Sequence, residues 1–229
     1  MAPFNWTDLI PWVGKYDYVA TLIVAAGLMI LLATLGRLAL GDGETALMPA
    51  QSIGIKAAFE AIIDFIVTMS DMVIGEEGAK FVPFFATLFF FILICNMIGL
   101  VPGFTPPTES VNTTFALGIF SFLYYNYHGI REHGFHYIKQ FMGPLWFLAP
   151  FMLMIELISH LVRPVSLALR LFGNMLGDHT ALAIFLHIVP YYLVPVIFYC
   201  LGLFVCFIQA FIFMILSMVY VSMAISHDH

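Results

Sequence analysis

Arg170 is the residue whose position most demands a chemical explanation. It lies in Arg163-Pro-Val-Ser-Leu-Ala-Leu-Arg170-Leu-Phe-Gly-Asn174-Met-Leu-Gly177, within an apolar run that continues to Pro190. A guanidinium near the middle of a bilayer helix costs roughly 2.5–3.5 kcal/mol on insertion scales, so its default reading is a functional charge facing protein or water. Arg163, Ser166, Arg170, Asn174, Gly177 and Asp178 recur at helical spacings and form one stripe in a segment otherwise built of Leu, Val, Phe and Met. A polar stripe at membrane depth implies water or a partner helix. Gly173 and Gly177 form a small-xxx-small pair beside the arginine, which lets a second helix approach the guanidinium closely. Plain helix packing would use the two glycines in the same way.

A second polar set lies on the helix that follows. Arg170 is 20 residues before Pro190 and Gln209 is 19 after it, so counting from a turn at Pro190 puts them at similar depth. The same count sets His179, beside Asp178, level with about Leu201 and Gly202. Two polar layers in one hairpin suggest a path. Glu156, in Leu-Met-Ile-Glu-Leu-Ile-Ser159-His160, is a further intramembrane carboxylate. It could line aqueous access from the inside or be paired only for structure. Asn96 reads as an interhelical hydrogen-bond former, with a channel role as the alternative. His128, His133 and His136 cluster in a polar connection, where solvated histidines are commoner than metal ligands. No phosphate-binding loop and no nucleophile with its base is visible, so the sequence points to neither a cofactor nor an autonomous enzyme.

The elements that position these groups follow from composition. With 229 residues, 62% hydrophobic, 10% charged and a mean hydropathy of +1.00, the chain reads as an all-α, polytopic membrane protein in a single membrane domain, 1–229. Residues 1–18 read as a polar, aromatic lead-in on the outside rather than a cleaved signal, and 19–40 as the first span. Residues 49–74 differ: Lys56, Glu60, Asp64 and Asp71 fall on one face opposite Ile55, Phe59, Ile62, Ile63 and Ile66. That pattern predicts an amphipathic helix on the membrane surface, with a true span carrying three internal carboxylates as the alternative. Residues 81–127 read as a helical hairpin turned by Pro102-Gly-Phe-Thr-Pro-Pro107, and Arg131 to Gly143 as a polar connection. Residues 145–226 read as a long tilted hairpin with a kink at Pro164. Because 163–189 alone would run about 40 Å against a hydrocarbon core of about 30 Å, tilt is the expected accommodation. Five crossings with the N-terminus outside place Arg37, Lys56, Lys80, Arg131 and Lys139 on the cytoplasmic side. The formal charge of −6 is dispersed and suggests no nucleic-acid partner. Cys95, Cys200 and Cys206 read as ordinary buried thiols.

Pro164-Val-Ser-Leu-Ala-Leu-Arg170-Leu-Phe-Gly-Asn174-Met and Ile208-Gln209-Ala-Phe-Ile-Phe-Met resemble the signature helices of subunit a of F-type ATP synthase. Glu156-Leu-Ile-Ser, Asn96-Met-Ile-Gly-Leu-Val-Pro102 and the order of segments extend the resemblance over most of the chain. The resemblance implies the static half of a proton-driven rotor, its last two helices slanted against a ring of c subunits. It also implies b subunits of a peripheral stalk, indirect coupling to the F1 sector, and no cofactor. Arg170 would be the essential arginine between two offset half-channels. Gly173 and Gly177 would pack against the ring, and Asn174 and Gln209 match positions near the arginine. Ser166 and Glu156 match positions of the cytoplasmic access path, and His179 matches one in the opposite path. Nine residues beyond Arg170, His179 would face the hairpin partner. Gly202 departs from the pattern, since many members carry an ionisable residue there; Asp178 is a candidate replacement. A bacterial inner membrane fits the form of the motif, with an organellar inner membrane as the alternative. The competing classes are a self-contained ion channel or secondary transporter with an anion-binding arginine, and a noncatalytic scaffold.

Overall fold

A computed structural model of the chain describes residues 17–40, 54–101, 103–134, 149–188 and 193–225. Among the described residues there is no strand, and six α-helices follow in order. They are α1 (Asp17–Leu40), α2 (Ile55–Ile74), α3 (Val82–Ile98), α4 (Val111–His133), α5 (Ala149–Ile188) and α6 (Leu193–Ile225). Short 3-10 turns at Gly78–Lys80 and Pro107–Glu109 lead into α3 and α4.

Three helices are long and apolar enough to cross a membrane, through Tyr18–Leu38, Phe151–Leu182 and Val196–Ile225. The 17-residue α3 is shorter and largely apolar. α2, with its four charged residues, is not among them. The core lies where α6 meets its neighbours: Phe213, Met214 and Met218 are fully buried with Ile66 of α2, Phe85, Phe89 and Ile92 of α3, Tyr125 of α4 and Leu171 of α5. The outer faces stay apolar, as Ile23, Ile30 and Leu38 on α1 show at 65–78% exposure. Exposed leucine and isoleucine on that scale suit hydrocarbon rather than water.

Several sequence-based expectations change in detail. α3 and α4 pack mainly on α6 and on α6 with α5 respectively; rings join them, with Phe84 stacked on Tyr124 at 3.5 Å. α4 runs nearly two turns beyond Tyr127, continuing through Gly129, which is buried within the helix, to Gly134. Gly134 stops it at a φ of 53°, its N–H donating to Ile130 O. His128 and His133 are therefore helical rather than in a loop, and His136 lies outside the described residues, as do 1–16, 41–53, 135–148 and 226–229. Cys200 is exposed while Cys95 and Cys206 are buried, a correction caused by its place on the outer face of α6.

α5 passes through Pro164 as one 40-residue helix. A proline there removes one backbone donor, and α4 comes in close at that point. A Cβ on Gly118 would lie 2.8 Å from Pro164 O, so only glycine permits this approach. Forty residues span about 60 Å, twice the thickness of a hydrocarbon core.

Candidate functional site

The period of α5 divides its residues between two environments. Leu167, Ala168, Leu171 and Met175 are buried against the bundle, each at 2% exposure or less. Arg170, Gly173, Asn174 and Gly177 stand on the other side and are exposed. A Cβ built on Gly173 or Gly177 meets nothing within 4 Å. The guanidinium of Arg170 has no hydrogen bond or ion pair with any described residue. Leu169 and Leu176, 50% and 38% exposed, flank it. This is a cation on an apolar face, with flat ground beside it.

Gln209 lies behind that face and is almost fully buried. Asn174 Nδ2 donates to its Oε1 at 2.6 Å, satisfying a side chain that would otherwise be costly at this depth. The register differs slightly from a turn at Pro190. Asn174 with Gln209, Phe185 stacked on Phe198 at 4.0 Å, and Arg163 over the Tyr220 ring at 5.7 Å are all symmetric about residues 191 and 192. Gln209 is thus one helical turn from Arg170 rather than level with it.

Towards the turn, three ionisable groups converge. His179 Nδ1 lies 2.9 Å from Glu109 Oε2, a carboxylate from the 3-10 turn before α4. Asp178 faces α6: its Oδ2 would lie 3.2 Å from a Cβ on Gly202. Leu100 Cδ2 would lie closer still, at 2.7 Å, so Leu100 and the carboxylate together occupy the space that a side chain at 202 would claim. His179 is not directed at α6 but at Glu109, because residues 178 and 179 are 100° apart on the helix and cannot both face it. Nearby, Thr108 Oγ1 donates to Asn96 Oδ1 at 2.7 Å, and both residues are fully buried. Asn96 therefore ties α3 to the 3-10 turn that carries Glu109.

At the opposite end of α5, Glu156 and Arg163 pair at 3.6 Å. Ser166 Oγ donates to its own helix at Arg163 O, 2.9 Å away. His160 Nε2 meets Asn126 Oδ1 at 2.8 Å, and Ser121 Oγ donates to Ser217 Oγ at 3.0 Å, joining α4 to α5 and to α6. Among the described residues no group of three or more His, Cys, Asp or Glu is arranged to hold a metal ion.

Glu109, Asn126 and Tyr220 belong to these clusters and were not singled out from the sequence. Glu109 had one detectable signal, being the acidic residue in a 102–110 loop that contains no lysine or arginine.

The arrangement separates a lone exposed cation from two sets of paired polar groups, one towards each end of α5. A family model described as ATP synthase A chain matches residues 18–222. The chain is 52% identical over 228 residues to ATP synthase subunit a of Bdellovibrio bacteriovorus, covering 99% of both chains. It is 50% identical over 176 residues to that of Trichlorobacter lovleyi, covering 77% of this chain and 76% of the relative. With that of Geobacter sulfurreducens the identity is 46% over 185 residues, covering 81% and 80%. A match along nearly the whole length, to relatives that share half of its residues, means that the chain belongs to the ATP synthase A chain family.

Proposed function

We propose that this chain is the stator of the ATP synthase membrane motor and carries protons through two offset half-channels that meet at Arg170. The observation that carries the reading is the exposed guanidinium, unpaired among the described residues, on a face of α5 opened by Gly173 and Gly177. A charge at membrane depth without a partner in its own chain is costly. A carboxylate on a passing c-ring helix would relieve that cost.

Arginine suits the role because it stays protonated when partly desolvated and lowers the pKa of a facing carboxylate. Each ring carboxylate would release its proton on arriving at Arg170. The fixed positive charge would also bar a proton from passing directly between the paths. Asp178, His179 and Glu109 supply groups for the outer path, His179 paired with Glu109 and Asp178 turned towards Gly202. Glu156 and Ser166 supply groups for the inner path, with Arg163 holding the carboxylate. Asn174 and Gln209, bonded to each other, form the wall behind the arginine. The other partners are the b subunits of the peripheral stalk and, through the complex, the F1 sector. The site is the bacterial inner membrane, in keeping with bacterial relatives and three helices of spanning length.

The test is ATP-driven proton pumping by membranes whose assembled complex carries Arg170→Ala. Pumping should fall to background while the complex remains intact. Normal coupled pumping would remove Arg170 from the mechanism.

A further inference from the structure

A partly open cleft of about 460 Å³ lies between α1, α2 and α3, away from the Arg170 face. Its walls are apolar, with Met29, Phe90 and Ile94 among them, and its charged lining is Arg37, Glu60 and Asp64. Arg37 is in the last turn of α1, and Met29 lies two turns deeper on the same face. The cleft therefore combines a charged mouth with an apolar shaft.

From Arg37 to Met29 is a rise of about 12 Å, a depth that the first part of a hydrocarbon tail would span. The mouth is also mixed in charge. A guanidinium pairs well with phosphate, and a carboxylate accepts hydrogen bonds from a primary ammonium. Glu60 already engages Lys56 at 3.7 Å, which leaves exposed Asp64 better disposed towards a ligand. A purely anionic headgroup would meet two carboxylates at this mouth. A trimethylammonium group would offer them no N–H donor.

We propose that the α1–α2–α3 cleft is a binding site for one phospholipid of the phosphatidylethanolamine class, its phosphate on Arg37, its ammonium towards Asp64 and a tail running between Met29 and Ile94. The lipid would fill the seam between the first helix and the bundle. This assignment is independent of how Arg170 works.

The experiment reconstitutes the whole complex in nanodiscs with phosphatidylethanolamine, phosphatidylcholine or phosphatidylglycerol, each carrying a photoreactive tail. Labelled peptides of this chain are then mapped. Phosphatidylethanolamine should label α1 and α3 around the cleft in preference to the other two. Arg37→Gln or Asp64→Asn should each lower that labelling about fivefold, the change in binding expected from one interfacial charge. Ala33→Leu should lower it by filling the shaft while leaving every charge in place. Equal labelling by phosphatidylcholine, or preference for phosphatidylglycerol, would overturn the headgroup assignment. Absence of cleft labelling by all three, or protection of the cleft by another polypeptide, would overturn the lipid site itself.

Discussion

The two sides of α5 treat polar groups in opposite ways. On the side facing α4 and α6, Asn174 reaches round to Gln209, His160 meets Asn126 and His179 meets Glu109, while Ser121 meets Ser217 between the neighbouring helices. On the open side, Arg170 stands beside two glycines with no partner among the described residues. Burial explains the first pattern, because an unsatisfied polar group in an apolar interior costs about 1–3 kcal/mol. The second pattern is instructive because burial does not explain it. A wall is made of groups that satisfy one another, whereas a working surface keeps a group whose counterpart arrives from elsewhere.

The contrast is broken most severely by filling the open side. Gly177→Leu adds a side chain where a Cβ meets nothing within 4 Å, and it replaces a poor helix former with a good one. The chain should fold and assemble normally, yet ATP-driven pumping should fall at least about tenfold as the ring helix is held away. Unchanged pumping would show that the open side is not a contact surface.

Glu109→Gln comes next, because it keeps the shape of the His179 contact while removing a titrating group. Proton transfer by a positioned acid or base contributes about 10²–10⁴-fold to rates. Even partial bypass by Asp178 should leave proton flux through the complex reduced about tenfold. Flux measured in reconstituted vesicles would check this, and wild-type flux would make Glu109 merely structural.

The smallest effect belongs to the wall. Ser121→Ala strands the buried Ser217 hydroxyl and should destabilise the chain by about 1–3 kcal/mol without altering the number of protons moved per ATP. Thermal unfolding of the solubilised complex reads the first effect and pumping stoichiometry the second. A changed stoichiometry would place Ser121 in a proton path.

The open side was legible in the sequence because Arg170, Gly173, Asn174 and Gly177 share a helical period inside an apolar run, and helical period fixes a face. The closed side was legible only in part. Glu109 and His179 are 70 residues apart, and no local pattern records that a 3-10 turn brings them together. Register was blurred because Pro190 and Pro195 are both turn signals, and a shift of two residues in the turn moves every facing pair by about one helical turn. The end of α4 was set short because polarity was read as a loop, although polar residues readily extend a helix and Gly129, buried within it, does not end it.

The measurement that tests the central claim most directly is passive proton leak through membranes stripped of the F1 sector, for Arg170→Ala alone and for Arg170→Ala with Glu109→Gln. If the arginine seals the junction of two paths, the single variant should leak more than wild type, and the second substitution should suppress that leak by removing a proton-accepting carboxylate from the outer path. A single variant as tight as wild type would contradict the seal. A leak indifferent to Glu109→Gln would contradict a route through the His179 cluster.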